Sequence, residues 1–157
     1  MRMLTFAGRN TKEVLRDPLN LAFGLGFPLV LLLLMRAIQA NIPVKLFEIQ
    51  HLAPGITVFG LSFITLFSAT VIAKDRQSAF LQRLYTTPMT PIDFILGYTL
   101  PMIPIAVSQC VICYLAAILL GLDICINILY AVFLSVPVSI LYIALGLLCG
   151  SVLSDKQ

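Results

Sequence analysis

Two cysteines three residues apart form the first pattern in this sequence whose spacing could do chemistry. Cys110-Val-Ile-Cys113 has the spacing of a redox dithiol or of half a zinc site. A metal would need further ligands, but no His, Asp or Glu is near this pair, and the single histidine, His51, is far away in the sequence. The remaining cysteines, Cys125 and Cys149, also lie in or beside apolar segments. We therefore expect packed thiols, with neither a bound metal nor a disulfide framework.

Catalytic and ATP-binding patterns are missing from the sequence. No serine or cysteine has a histidine and an acid around it in the manner of a hydrolytic triad, since His51 is the only imidazole. The phosphate-binding loop G-x-x-x-x-G-K-[ST] is absent because no lysine follows a glycine. We expect no catalytic residue, no cofactor and no metal site, and therefore no enzyme.

The elements that carry these residues are long and apolar. Hydrophobic residues make up 60% of the 157 residues and charged residues 11%, which is too apolar for a water-soluble surface. Four stretches reach the roughly 20 residues that a helix needs to cross a hydrocarbon core of about 30 Å. No stretch alternates in the pattern of a membrane barrel. We predict an all-α integral membrane protein, one transmembrane domain over residues 1–157, with spans at 19–38, 52–73, 94–120 and 124–153.

An amphipathic segment precedes the first span. At helical spacing its less polar side chains share one face: Leu4, Ala7, Thr11, Val14 and Leu15. Its charged side chains share the opposite face: Arg9, Lys12, Glu13 and Arg16. Such a helix lies along a membrane surface, so residues 1–16 are predicted to be an interface helix in contact with membrane lipid. A signal peptide is the alternative interpretation of this region, but the acids before the span and the three later spans favour an anchor.

A second polar segment follows the second span. Lys74-Asp75-Arg76 must lie outside the hydrocarbon core, because each such charge at its centre costs about 2.5 to 3.5 kcal/mol. Apolar residues then recur at helical spacing, and Thr87-Pro88 ends the pattern. We predict a cytoplasmic helix over residues 74–87. Thr90-Pro91-Ile92-Asp93 has the pattern of a capping box that begins the next helix.

The basic residues are distributed unequally between the two ends of the predicted spans. Eight of the ten lie on one side: Arg2, Arg9, Lys12, Arg16, Lys74, Arg76, Arg83 and Lys156. Arg36 and Lys45 lie on the other. The positive-inside rule therefore places both termini in the cytoplasm. The net charge of +3 is scattered and forms no dense run, so nucleic acid is not an expected partner.

The lack of charged residues inside three of the spans bears on how transport would be driven. No Asp, Glu, Lys, Arg or His lies well inside the second, third or fourth span, whereas an ion- or proton-driven carrier usually needs such a group. That carrier is kept as an alternative, as is a non-transporting membrane scaffold.

The fourth span contains two glycines four residues apart. Gly146-Leu-Leu-Cys-Gly150 permits close helix contact, either within the chain or between two subunits.

Three stretches of the chain resemble type-2 ABC (ATP-binding-cassette) exporter permeases, the membrane subunits of drug, antibiotic-peptide and polysaccharide exporters. They are Leu15-Arg-Asp-Pro-Leu19 leading to Gly26-Phe-Pro28, Pro54-Gly55, and the segment from Asp75 to Pro88 with Gly97 beyond it. The last stretch is the most specific, and the resemblance covers nearly the whole chain. It implies a permease subunit in the plasma membrane, which in a bacterium is the inner membrane, with ATP hydrolysed by a separate ATPase subunit.

The resemblance also implies a role for residues 74–87. In these permeases the corresponding segment is the coupling helix, which docks on the ATPase subunit. The implied contact residues here are Arg76, Phe80, Leu81, Arg83, Leu84 and Tyr85. Closure of two ATPase subunits would push on the coupling helices of two permease subunits, which form a homo- or heterodimer.

The chain departs from the family pattern at two points. The usual glycine of the coupling segment is replaced around Ser78-Ala79, and four spans are present where these permeases have six. The second departure leads us to expect a truncated permease. The spans carry no distinctive polar cluster that would identify the cargo.

Overall fold

The described part of the chain is built from α-helices. The computed structural model describes residues 2–41, 48–77 and 90–152. Its helices are α1 (Arg2–Leu15), α2 (Pro18–Ala40), α3 (Ile49–Gln77), α4 (Pro91–Leu119) and α5 (Ile126–Val152). The last four are long and apolar enough to cross a membrane. The prediction of an all-α membrane protein with four spanning helices is confirmed.

The start of α4 is fixed by the capping box that the sequence predicted. The Asp93 backbone N–H donates to the Thr90 hydroxyl at 3.2 Å, and the Thr90 N–H donates to the Asp93 carboxylate at 3.3 Å. Pro91 occupies the first helical position, where its missing N–H leaves no hydrogen bond unmade. The helix therefore begins three residues before the predicted span.

A glycine ends α4 at the turn into α5. Gly121 has a φ of 101°, a left-handed conformation that side-chain-bearing residues rarely adopt. Its N–H donates to the Ile118 carbonyl at 3.0 Å, and the Leu122 N–H donates to the Ala117 carbonyl at 2.9 Å. This pair of bonds is a Schellman motif, which satisfies carbonyls that the helix end would otherwise leave unpaired.

The helix α3 is longer than the predicted second span. The helix continues past Ala73, and Lys74, Asp75 and Arg76 form its last turn. No glycine or proline interrupts it there, and the charged side chains find partners on neighbouring helices. The first four residues of the predicted helix 74–87 thus belong to α3, whereas residues 78–87 lie outside the described part of the chain.

Glycines bring α3 and α5 into close contact. A side-chain carbon at Gly146 would collide with the Thr65 carbonyl oxygen, and one at Gly150 with the Ala69 carbonyl oxygen. The Thr65 hydroxyl donates to the Tyr142 carbonyl across the same interface at 3.0 Å. The predicted close contact at these two glycines is therefore made within the chain.

Among the buried apolar clusters of the described residues, the two largest hold the spans together. The first joins α1, α3, α4 and α5, and its members are Val14, Leu61, Ile64, Phe67, Met102, Ala106, Cys110 and Ile143. The second joins α2, α3 and α4, and its members are Leu32, Ile49, Ala53, Ile56, Tyr114 and Ala117. Large apolar side chains also cover the outer surfaces of the four spans, as expected of helices whose solvent is lipid.

The helix α1 packs mainly against α4. Ala7 and Val14 are buried, as the predicted apolar face requires, but Leu4 and Leu15 from the same predicted face are 61% and 60% exposed. The buried face is rotated because Phe6 and Asn10 point into the protein. Asn10 is polar, so a pattern based on hydrophobicity does not detect its burial.

Candidate functional site

Three consecutive charged residues at the end of α3 each contact a different part of the protein. Successive helical residues point about 100° apart, so Lys74, Asp75 and Arg76 face three directions. They reach the α1–α2 turn, the α1–α4 pair and the end of α5, respectively. The last turn of α3 is therefore a junction with α1, α4, α5 and the turn that leads into α2.

Asp75 is the centre of this junction. The residue is only 2% exposed. Its carboxylate accepts two hydrogen bonds from the Arg9 guanidinium, at 3.1 and 3.3 Å. The Tyr98 hydroxyl donates a third at 2.6 Å. A buried carboxylate is tolerated only when a cation and further donors satisfy it, and these three bonds meet that need. We call Arg9, Asp75 and Tyr98 the Asp75 cluster.

Arg9 bridges two acids. Besides Asp75 it forms an ion pair with Glu13 at 3.0 Å, one helical turn along α1. Partial burial alone would lower the pKa of the Arg9 guanidinium, but the hydrogen bond to Asp75 and the charges of Asp75 and Glu13 outweigh it and raise that pKa above its ordinary value. The guanidinium thus stays charged and fixes α1 to α3.

Apolar and amide contacts fix α1 to α4 beside the Asp75 cluster. The Asn10 amide donates to the Gly97 carbonyl at 3.1 Å and is fully buried. The Phe6 ring lies directly over Gly97, where an added side-chain carbon would collide with it. Phe6 also meets Tyr98 edge-on, with ring centroids 5.0 Å apart. The absence of a side chain at Gly97 is therefore what lets α1 reach α4.

The other two charges of the junction make weaker or more peripheral contacts. Lys74 Nζ lies 3.4 Å from Asp17 Oδ2, and both side chains are at least one-third exposed, so this ion pair contributes little stability. Arg76 donates to the Gly150 carbonyl at 3.2 Å and also to the Ser151 carbonyl. A cation at these carbonyls caps the last turn of α5.

The structure brings some of the predicted site residues together and leaves others apart. Arg9 lies in the Asp75 cluster, and Arg76 lies in the same turn of α3 but contacts α5. Lys12 on α1 and Arg16, the residue after its end, are exposed. The remaining predicted contact residues, Phe80, Leu81, Arg83, Leu84 and Tyr85, lie outside the described residues.

Three residues of the junction were not identified from the sequence as site residues: Asp75, Tyr98 and Asn10. Asp75 was assigned to the polar boundary of a span and to the predicted cytoplasmic helix 74–87, but not to a site, although an acid between two basic residues at such a boundary is a signal of pairing. Tyr98 and Asn10 carry no comparable signal, because their partners come from distant parts of the chain.

The cysteine pair lies in the core. Cys110 and Cys113 are free, fully buried thiols on α4. Within residues 2–41, 48–77 and 90–152, no group of three or more His, Cys, Asp or Glu side chains could hold a metal ion.

A family model described as "ABC-2 type transporter" matches residues 2–157. No curated protein and no solved structure matches the chain.

Proposed function

This chain belongs to the ABC-2 type transporter family, and we propose that it is the membrane permease subunit of an exporter that a separate ATPase subunit drives. The proposed cargo is a drug, a peptide or another amphiphilic or polymeric molecule. The chain itself supplies the membrane component of the transporter. ATP hydrolysis is assigned to the partner.

The position of the Asp75 cluster is the observation that carries this proposal. Asp75 lies in the last turn of α3, three residues before residue 78, where the coupling segment would continue. A push on that segment would act first on this turn. Arg9 would pass the displacement to α1, Tyr98 to α4, and Arg76 to α5. Discrete pairs of this kind switch between arrangements rather than deform gradually, which suits a change between inward- and outward-facing states.

The proposed contact with the ATPase lies in the coupling segment itself. Phe80, Leu81, Leu84 and Tyr85 would form an apolar stripe that inserts into a groove on the partner, with Arg83 at its rim. Arg76 was also predicted to contact the ATPase, at the rim of this stripe. Since its guanidinium contacts the carbonyls at the end of α5, we propose that it mainly links the coupling segment to α5.

The proposed assembly contains two permease subunits and two ATPase subunits. Both termini of the chain and the junction at the end of α3 would lie in the cytoplasm of a cell whose plasma membrane holds the transporter. This orientation follows from the distribution of Lys and Arg and places the coupling segment where ATP is available.

An ion- or proton-coupled carrier is the alternative from another class. Among the buried side chains of the described residues, Asp75 is the one that carries a charge. It lies in the last turn of its helix and is already paired with Arg9. A proton relay needs a titratable group with access from both sides of the membrane, so this position favours a fixed structural pair.

Replacement of Leu84 tests the proposal. In a full-length permease expressed with its ATPase, Leu84→Asp should weaken copurification of the ATPase at least about tenfold, because burying such a side chain is worth about 1.5 to 3 kcal/mol. Leu84→Met is the matched control and should bind normally. Arg83→Ala should have a smaller effect, since rim charges mainly alter association rate.

The outcomes separate the candidate functions. Normal ATPase binding and normal export by Leu84→Asp would mean that the stripe packs elsewhere, and the coupling assignment would have to be abandoned. If the unaltered protein never copurified with an ATPase, the membrane scaffold would be the better description.

A further inference from the structure

Two exposed cations, Lys12 on α1 and Arg16 just after its end, lie on the side of α1 that faces away from α4. Neither Lys12 nor Arg16 has an ion-pair partner among the residues that the structure describes, whereas Arg9 on the same helix is bound by Asp75 and Glu13. Lys12 and Arg16 are four residues apart, so they are neighbours on the helix surface and repel each other. Two adjacent like charges of this kind are an attractive site for an anion.

An apolar edge runs beside these cations. Leu15, three residues from Lys12, is 60% exposed, and Leu4, three turns earlier on the same edge, is 61% exposed. Gly8 lies between the two leucines, and a side-chain carbon added there would meet no atom within 4 Å, so the surface has a shallow depression at Gly8 next to Lys12. A soluble anion would need only the cations. The exposed leucines call for a ligand with an apolar part as well.

The position of this edge relative to the first span identifies such a ligand. Arg16 is two residues before Pro18, where the spanning helix α2 begins. The side chain therefore lies within about one turn of the boundary at which phospholipid phosphates are found. A phosphate beside the cations and acyl chains beside the leucines would match both parts of the surface.

We propose that this edge of α1 binds the headgroup of an anionic phospholipid, with Lys12 and Arg16 at the phosphate and Leu4 and Leu15 against the acyl chains. This site is independent of the ATPase partner and of the coupling role. A simpler explanation is that cations in the last turn of α1 merely complement the partial negative charge of the helix end. The two explanations predict different lipid selectivity.

Lipid retention by the purified full chain distinguishes them. The protein is purified from mixed micelles that contain equal amounts of phosphatidylglycerol and phosphatidylcholine, and the lipid bound per protein is measured. We expect selective retention of phosphatidylglycerol. Lys12→Gln and Arg16→Gln should each weaken it about fivefold and the double variant about 25-fold, because each cation near an anionic surface contributes a factor of this size.

Two further variants serve as controls, and a third tests the apolar part of the site. Arg36→Gln removes a cation from the opposite end of α2 and should leave retention unchanged. The double exchange Lys12→Arg with Arg16→Lys preserves both charges and should also retain the lipid. Leu15→Ser should weaken phosphatidylglycerol retention, whereas inorganic phosphate should compete poorly, since it lacks the apolar part.

The proposal fails on any of three results. Equal retention of both lipids would mean that the cations only complement the partial negative charge at the end of α1. The same would follow if Lys12→Gln combined with Arg16→Gln weakened phosphatidylglycerol retention no more than Arg36→Gln does. Effective competition by inorganic phosphate, together with no effect of Leu15→Ser, would show that the site binds a free anion and not a lipid. Because both cations are exposed, unchanged melting temperatures should show that the variants fold.

Discussion

The Tyr98 hydroxyl donates a 2.6 Å hydrogen bond to the Asp75 carboxylate and thereby joins α4 to the last turn of α3. Both residues are almost fully buried, at 1% and 2% exposure. Arg9 supplies the charge that balances the carboxylate from α1. Three helices therefore meet at one acid, and each of its partners can be removed separately.

Removal of the Tyr98 hydroxyl should destabilise the protein measurably. Tyr98→Phe keeps the ring contacts with Phe6 and Phe94 but takes one donor from a buried carboxylate. Hydrogen bonds to charged groups are worth about 1.5 to 3 kcal/mol, and we expect a loss of that size in the free energy of unfolding in detergent micelles. Tyr130→Phe, at an exposed position, is the control and should change it by less than about 0.5 kcal/mol. Equal effects of the two changes would refute the role of this hydrogen bond.

Arg9 and Asp75 should show strong energetic coupling in a double-mutant cycle. Arg9→Gln leaves a buried carboxylate without its cation, and we expect a loss of roughly 2 kcal/mol, below the 3 to 5 kcal/mol of fully enclosed pairs because Arg9 is partly exposed. Adding Asp75→Asn to Arg9→Gln should recover part of that loss, since no unpaired charge then remains. Arg16→Gln, just after the end of the same helix, should leave the melting temperature unchanged. Additive losses from the two single variants would show that the pair is not coupled.

Replacement by alanine should destabilise the protein at one glycine of the spans and be tolerated at another. Gly146→Ala places a methyl group against the Thr65 backbone carbonyl, which cannot move without separating α3 from α5. Overpacking of this kind costs about 1 to 3 kcal/mol. Gly26→Ala meets no atom within 4 Å, so it should be neutral or slightly stabilising, because alanine is the better helix former. Thermal unfolding of both variants in the same detergent checks this, and a tolerated Gly146→Ala would contradict the close packing of α3 on α5.

Membrane topology can be tested by labelling from either side. The distribution of Lys and Arg predicts that the loop containing Glu48 and the segment containing Gln82 lie on opposite sides of the membrane. Single cysteines at these two positions, in a background without the four native cysteines, should react with a membrane-impermeant reagent from opposite sides. Labelling from the same side would refute the four-span topology.

Features that depend on local patterns could be predicted from the sequence. The lengths of the four apolar stretches predicted the spans, and Thr90 with Asp93 predicted the start of α4, because both signals are contained within a few residues. The end of α3 was predicted less well. Charges usually mark the end of a span, but Lys74, Asp75 and Arg76 extend the helix because partners from other helices accommodate them.

Contacts between distant segments could not be predicted from the sequence. Nothing near Asn10 indicates that its amide binds the Gly97 carbonyl, 87 residues later. Gln109 is a similar case. It is fully buried on α4 against Gly60 of α3, a contact that exists because Gly60 has no side chain. Such pairs depend on how the helices cross, and a single sequence does not contain that geometry.

We propose that the Asp75 cluster transmits ATP-driven movement into the spans. The most direct measurement compares Asp75→Asn with Leu84→Asp in a full-length permease expressed with its ATPase. Asp75→Asn should copurify with the ATPase and support ATP hydrolysis normally, but export should fall about tenfold or more, in the range of typical coupling energies. Leu84→Asp should lose both ATPase binding and export. Export at the unaltered rate by a folded Asp75→Asn protein would contradict the account.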